Sequence, residues 1–262
     1  MSGIDVVRHG QVGEIRMNRP HVHNAMGLAF PDDLGAALAE LEEDASVRVV
    51  LVTGEGPSFS SGLDLDDLAG GRIDLPWFRA NEFLFRRLEA LDKPVIAGIA
   101  GWCLGGGLQI AIACDVRIAT DDARFGLPAA KEAFLPGMGT WRLPRLVGMG
   151  WARHLILSGE AIDAGEALRM GLVHKVVPRP QLHDELLDWA KRYGEVPAGS
   201  VKWAKQLCNQ AYDLPFEGFV DELSDAMSVV ISTDEHLALR RAWAARRREA
   251  GEGEASHGEE PT

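Results

Sequence analysis

Residues 6–8 and 12–17 flank a His9-Gly10 break, and Ile15 and Met17 alternate with Arg16 and Asn18, the period of a half-buried strand pair. Phe30, Leu34, Ala37, Leu38 and Leu41 then recur at helical spacing, with Pro31, Asp32 and Asp33 in the first turn, where a proline and acidic side chains are favoured. Residues 47–53 form a β-branched run closed by Gly54-Glu55-Gly56-Pro57 and predict a buried strand. Helical spacing returns at Trp77, Leu84, Leu88 and Leu91. A strand over 94–100, a glycine cluster, a helix to about Cys114 and a strand over 115–119 follow. This alternation of strands and helices predicts an α/β core.

From about Trp151 the pattern changes. Residues 151–158, 163–170, 181–194, 200–212 and 217–248 read as helices, with only 172–177 strand-like between them. The last third is expected to be a helical layer suited to oligomer contacts. Residues 249–262 hold five glutamates and no Lys or Arg. Such a stretch cannot bury enough apolar surface to offset the entropy of ordering, so disorder is expected there.

The 262 residues are 46% hydrophobic and 25% charged, the composition of an ordinary globular chain. With 27 Lys+Arg against 39 Asp+Glu, the formal net charge is −12, which disfavours nucleic acid as a partner because phosphate contacts come mainly from Lys and Arg. Cys103, Cys114 and Cys208 form no CxxC pair and cannot pair evenly, which points to reduced thiols and a cytoplasmic location. No metal site is expected. The first ten residues lack the apolar stretch of a secretory signal. Residues 94–114 carry no charge, but one proline and five glycines suit a buried strand, turn and helix better than a membrane span.

Gly54-Glu55-Gly56-Pro57 follows a strand but lacks the third glycine of a dinucleotide fingerprint, and no Gly-Lys-Ser/Thr follows the glycines at 101, 105, 106 and 107. Two other segments carry more chemistry: Phe59-Ser60-Ser61-Gly62-Leu63-Asp64-Leu65, and Gly101-Trp102-Cys103-Leu104-Gly105-Gly106-Gly107-Leu108-Gln109. Glycines ahead of an apolar helix allow close backbone approach, and the first N–H groups of a helix have no partner within it. Donors of this kind suit a carbonyl oxygen that gains negative charge. Close helix–strand packing alone would also account for the glycines.

These segments fall in order with Asn18-Arg19-Pro20, Asn24-Ala25, Cys114-Asp115, Phe125-Gly126-Leu127-Pro128, Leu135-Pro136-Gly137, Arg142-Leu143-Pro144-Arg145-Leu146-Val147-Gly148, Ser158-Gly159-Glu160, Ala164, Ala167 and Gly171-Leu172-Val173. The set, running from about residue 4 to 178, resembles the crotonase (enoyl-CoA hydratase/isomerase) family. The resemblance implies an α/β fold, a crotonase-like spiral of ββα units over 1–195, with a helical C-terminal region over 196–248 that makes a homotrimer or a dimer of trimers. It implies an acyl-CoA thioester as ligand, coenzyme A being part of the substrate, and no other cofactor. The backbone amides of Leu63 and Gly106 would form the oxyanion hole. Asn24, Ala25, Gly62, Asp64 and Leu65 would lie along the CoA, while Trp102, Pro136, Gly137 and Trp141 would border the acyl pocket.

The chain departs from that family where hydratases carry two glutamates: Gln109 and Ala129 stand at those positions. An amide exchanges no proton near neutral pH and a methyl group none at all, so two-glutamate hydration is not expected. Glu132, three residues after Ala129, is a candidate displaced acid or base if the segment is helical. The segment 136–141 is one residue shorter than the family's usual form. The basic run containing Arg240 and Arg241 ends just before the acidic tail, and is a candidate partner for the CoA phosphates. The reading is an acyl-CoA enzyme of hydratase/isomerase type. Its alternatives are a non-catalytic acyl-CoA binder, or a thioester hydrolase or decarboxylase using the same oxyanion hole.

Overall fold

The computed structural model describes residues 3–255, and the chain divides after Ala198 into two compact units. Elements run in the order β1 (Ile4–His9), β2 (Val12–Met17), α1 (Phe30–Glu43), β3 (Val49–Gly54), α2 (Leu65–Ala69), α3 (Leu75–Ala90), β4 (Val95–Ile99), β5 (Trp102–Leu104), α4 (Gly106–Ile112), β6 (Val116–Thr120), β7 (Arg124–Gly126), α5 (Gly139–Ser158), β8 (Ile162–Asp163), α6 (Ala164–Arg169), β9 (Lys175–Val177) and α7 (Leu182–Gly194) in the first unit. The second unit holds α8 (Ala198–Gln210), α9 (Phe216–Ile231) and α10 (Asp234–Ala255).

Six strands form the main sheet in the order β1-β2-β3-β4-β6-β9, parallel throughout except for the antiparallel β1–β2 hairpin. Both faces are covered, as parallel strands require. In β3, Val50 and Val52 point into the cluster built with α1, α3 and α4, while Val49 and Leu51 point into a second cluster with Leu186 and Ala190 of α7. The helices that cover the sheet are set by simple local rules. Pro31 lies in the first turn of α1, and Phe30, Leu34, Ala37, Leu38 and Leu41 fill its buried stripe. At the start of α3, Asp74 Oδ1 accepts the Trp77 amide at 2.9 Å, and Trp77, Asn81, Phe85 and Leu88 turn inward.

A small second sheet, β5-β7-β8, stands beside the main one. Its strand β5 delivers the chain directly into the glycine turn ahead of α4.

Two expectations are corrected. Helix α5 is two helical stretches joined at Gly148, at φ +76°; the second contains the helix expected over 151–158, while the first, from Gly139 and containing Pro144, lies outside that expectation. The single helix expected over 217–248 is two, α9 and α10, because Thr233 Oγ1 accepts the His236 amide at 3.2 Å and starts a new helix. Helix α10 continues through the first residues of the acidic tail to Ala255. Residues 256–262 of that acidic tail lie outside the described residues.

Candidate active site

The segment carrying Ser60 to Asp64 is threaded between two others. On one side, Met26 N–H donates to Gly62 O at 2.8 Å and Asp64 N–H to Met26 O at 3.0 Å; on the other, Ser60 N–H donates to Trp102 O at 2.9 Å and Leu104 N–H to Ser60 O at 3.0 Å. The bridge between Met26 and Leu63 is parallel and uses the amides of Met26 and Asp64, which leaves the amide of Leu63 pointing away from it.

Gly62 makes the turn that brings this amide to the start of α4. Its φ is +97°, and a Cβ there would stand 2.9 Å from Leu104 O and 3.3 Å from the Gly106 nitrogen. Gly106 is the first residue of α4, so its amide has no partner within the helix. Among the described residues, neither the Leu63 nor the Gly106 amide donates to an acceptor. Both residues line a cavity of about 1170 Å³ in the first unit.

The rest of the cavity wall is largely apolar, with Trp77, Phe78, Phe85 and Phe134 among its residues; the rings of Phe78 and Phe134 lie 5.3 Å apart. Polar side chains interrupt it, among them Asn81, Glu82, Gln109 and Glu132. Gln109, one turn into α4, is buried, and its Oε1 accepts the Gly139 amide at 3.2 Å. Glu82 of α3 reaches the same place: a Cβ on Gly137 would lie 2.9 Å from Gln109 Oε1 and closer still to Glu82 Oε1. Glu82 Oε1 accepts the Met138 amide at 2.9 Å and Oε2 accepts from Arg142 Nη1, also at 2.9 Å. Asn81, 4% exposed, donates from Nδ2 to Trp77 O at 3.0 Å, while its Oδ1 is buried with no partner.

Pro128–Glu132 form a 3-10 turn, in which side chains three apart eclipse, and Ala129 and Glu132 both line the cavity. Glu132 is solvent-exposed. Pro136 and Gly137 also line the cavity, as do Ala25, Asp64 and Leu65.

Five expected site residues stand elsewhere. Trp102 lies outside the cavity wall, 45% exposed, because it is two residues back along β5 from Leu104, which does line it. Trp141 is carried off the wall by the helical path of α5 and stacks beneath Arg145, whose guanidinium carbon is 3.6 Å from the ring centre. Asn24 is a buried clamp: its Oδ1 accepts the Arg19 amide at 2.8 Å and its Nδ2 donates to Glu55 O and Ser58 O at 2.9 and 2.8 Å. Arg240 and Arg241 belong to the second unit, where both are exposed and Arg241 Nε donates to Leu237 O at 3.2 Å.

Asp64 lines the cavity but is fully engaged, capping α2 through Asp66 N and Asp67 N and pairing with Arg19 Nη1 at 3.1 Å. The sequence reading missed Glu82 and Asn81. Its only signal was two polar residues beside the apolar stripe of a helix otherwise read as core.

The family model for enoyl-CoA hydratase/isomerase matches residues 8–241. The chain belongs to the enoyl-CoA hydratase/isomerase family. It is 34% identical over 259 residues to the short-chain-enoyl-CoA hydratase of Clostridium acetobutylicum, covering 96% of this chain and 98% of that one. To the crotonyl-CoA hydratase of Syntrophomonas wolfei it is 33% identical over 240 residues, covering 88% and 91%. The crystal structure of an enoyl-CoA hydratase from Bacillus anthracis superposes with a TM-score of 0.88 at 33% identity, over 93% of this chain and 96% of that one. The fold is therefore the crotonase fold of this family.

Proposed function

We propose that the cavity holds an acyl-CoA thioester with its carbonyl oxygen between the amides of Leu63 and Gly106, and that these donors stabilise an enolate. The observation that carries this reading is the pair of amides without acceptors, held together by the left-handed turn at Gly62 in the wall of a large apolar cavity. A fixed donor aimed at developing oxyanion charge contributes roughly 3–4 kcal/mol of transition-state stabilisation. The cavity volume accommodates an acyl group together with the thioester arm. The names of the relatives, hydratases of CoA thioesters, point to the same substrate class.

Hydration by two glutamates has no support in this chain. Gln109 offers its oxygen to Gly139 and exchanges no proton, and Ala129 presents a methyl group. Chemistry that needs mainly enolate stabilisation, such as moving a double bond along the acyl chain, fits better. The same two replacements also favour a second reading, an acyl-CoA binder in which the amides serve as a thioester clamp. The experiment is titration calorimetry with butyryl-CoA and free CoA, followed by turnover of 2-enoyl-, 3-enoyl- and malonyl-type thioesters. Preference for the acyl form with turnover of the 3-enoyl thioester supports the enzyme. Preference without turnover supports the clamp, and equal affinity for CoA and acyl-CoA contradicts both.

Self-association fits the same reading. In α9, Phe216, Val220, Leu223 and Met227 are exposed at spacings of four, three and four, an apolar stripe of the kind that packs against another helix. Sedimentation at several concentrations distinguishes a trimer or hexamer from a monomer.

A further inference from the structure

We infer that Glu82 is the proton-transferring group of this site, supplying from α3 the carboxylate that Gln109 and Ala129 lack. The inference rests on the thioester reading above. Its first ground is position. Glu82 lines the cavity, and its Oε1 meets Gln109 Oε1 around the same backbone point at Gly137, although the two side chains come from different helices. Gln109 is one turn from Gly106, whose amide is half of the proposed oxyanion hole, so the carboxylate lies beside the helix turn that would hold the thioester oxygen.

Its second ground is preorganisation. Oε1 is fixed by the Met138 amide and Oε2 by Arg142 Nη1, both at 2.9 Å, while the side chain stays 24% exposed on the cavity side of a largely buried ion cluster. Arg142 is shared with Glu89, which also pairs with Arg86 at 3.2 Å, so two guanidiniums hold two carboxylates in fixed positions. Glu132, the other acidic residue of interest, is an exposed side chain at the end of a one-turn 3-10 segment, and among the described residues it makes no hydrogen bond or ion pair. A catalytic group must be held in place before the reaction, and of these two carboxylates Glu82 is.

The step balances without any co-reactant. The Glu82 carboxylate takes the α-proton of the thioester; the C–H electron pair moves to form the Cα–C double bond, and the carbonyl pair moves onto oxygen, where the amides of Leu63 and Gly106 receive the charge. The protonated Glu82, 24% exposed, swaps its proton with solvent and delivers a solvent proton to the α-carbon, which is exchange, or it delivers its proton to the γ-carbon of a dienolate, which shifts a double bond.

The direct test uses butyryl-CoA in D2O, which can exchange its α-protons but undergo no further reaction. Mass spectrometry follows deuterium uptake, and calorimetry follows binding. Wild type is expected to exchange, and Glu82→Gln to exchange at least ~10²-fold more slowly while still binding butyryl-CoA. Because losing the carboxylate also disturbs Arg142, Glu82→Ala is assayed with added formate, which restores exchange in proportion to its concentration if the carboxylate itself moves the proton. Exchange at the wild-type rate in Glu82→Gln overturns the inference, as does loss of exchange in Glu132→Gln with Glu82→Gln unaffected. Binding without exchange in wild type also overturns it and leaves the clamp reading standing. Failure to bind butyryl-CoA overturns the thioester reading instead.

Discussion

Arg142 Nη1 donates to Glu82 Oε2 at 2.9 Å, and the same guanidinium donates from Nε to Glu89 Oε1. The arginine side chain is 3% exposed, against 24% and 11% for its two partners. One buried cation thus ties α5 to two positions of α3, one of which, Glu82, lines the cavity. Removing it strands the Glu82 carboxylate and leaves Glu89 with Arg86 alone, which costs more than the pair itself contributes. Arg142→Met is expected to destabilise the protein by about 3 kcal/mol and lower Tm by roughly 6–12 °C, measured by calorimetric unfolding. An unchanged Tm would show that solvent reaches both carboxylates freely.

Gly62 is the residue on which the two amides depend. Any Cβ there meets Leu104 O at 2.9 Å in a backbone region that side chains rarely adopt. Gly62→Ala must move either the Leu63 peptide or the start of α4, misaligning one oxyanion donor. The expected outcome is a fall in turnover or α-exchange of about 10²–10³-fold, with the far-ultraviolet circular dichroism of the folded protein retained. Activity within a few-fold of wild type would place the donors elsewhere.

Acid stability has a separate origin, far from the cavity. Glu14 on β2 is buried, which by itself raises a carboxyl pKa, but hydrogen bonds from Arg16, Thr53 and His9 more than offset the burial and hold it at about 2, against an ordinary 4.5. A carboxylate whose folded pKa is depressed contributes stability above its unfolded pKa and loses it as pH falls toward the folded one. Between about pH 5 and pH 2 the protein is therefore expected to lose roughly 2 kcal/mol from this group, allowing for solvent screening at the partly exposed Arg16 and His9. Glu14→Gln removes that slope. Urea unfolding at steps across this range checks it, and parallel curves for the two proteins would contradict it.

Much of the fold can be read along the chain because its strands and helices follow simple periods. The buried run of β3, the stripe of α1 and the glycines around α4 lie where their patterns predict. The first half of α5 is hidden because Pro144 and the left-handed Gly148 break its period. The α9–α10 break is hidden because it holds no Gly or Pro, and only the Thr233 cap separates the two helices. The backbone donors of the site are legible for a related reason: glycine is required there by chain geometry, so it marks the place. Glu82 is not legible. Its partners Met138 and Arg142 lie 56 and 60 residues away, and nothing in the local pattern of α3 distinguishes it from a solvated surface glutamate. Trp102 and Trp141 show the converse, large aromatic residues beside site motifs whose backbone path carries them off the cavity wall.

The central claim is that the amides of Leu63 and Gly106 polarise a thioester carbonyl, and the most direct measurement is the stretching frequency of that carbonyl. Infrared difference spectra of butyryl-CoA labelled with carbon-13 at the carbonyl, free and bound, isolate this single bond. Two donors on the oxygen weaken the C=O bond, so the band is predicted to move to lower frequency on binding to wild type. The shift should be smaller in Leu63→Pro, which has no amide hydrogen at that position. A bound carbonyl at its free frequency, or an equal shift in the proline variant, would contradict the account.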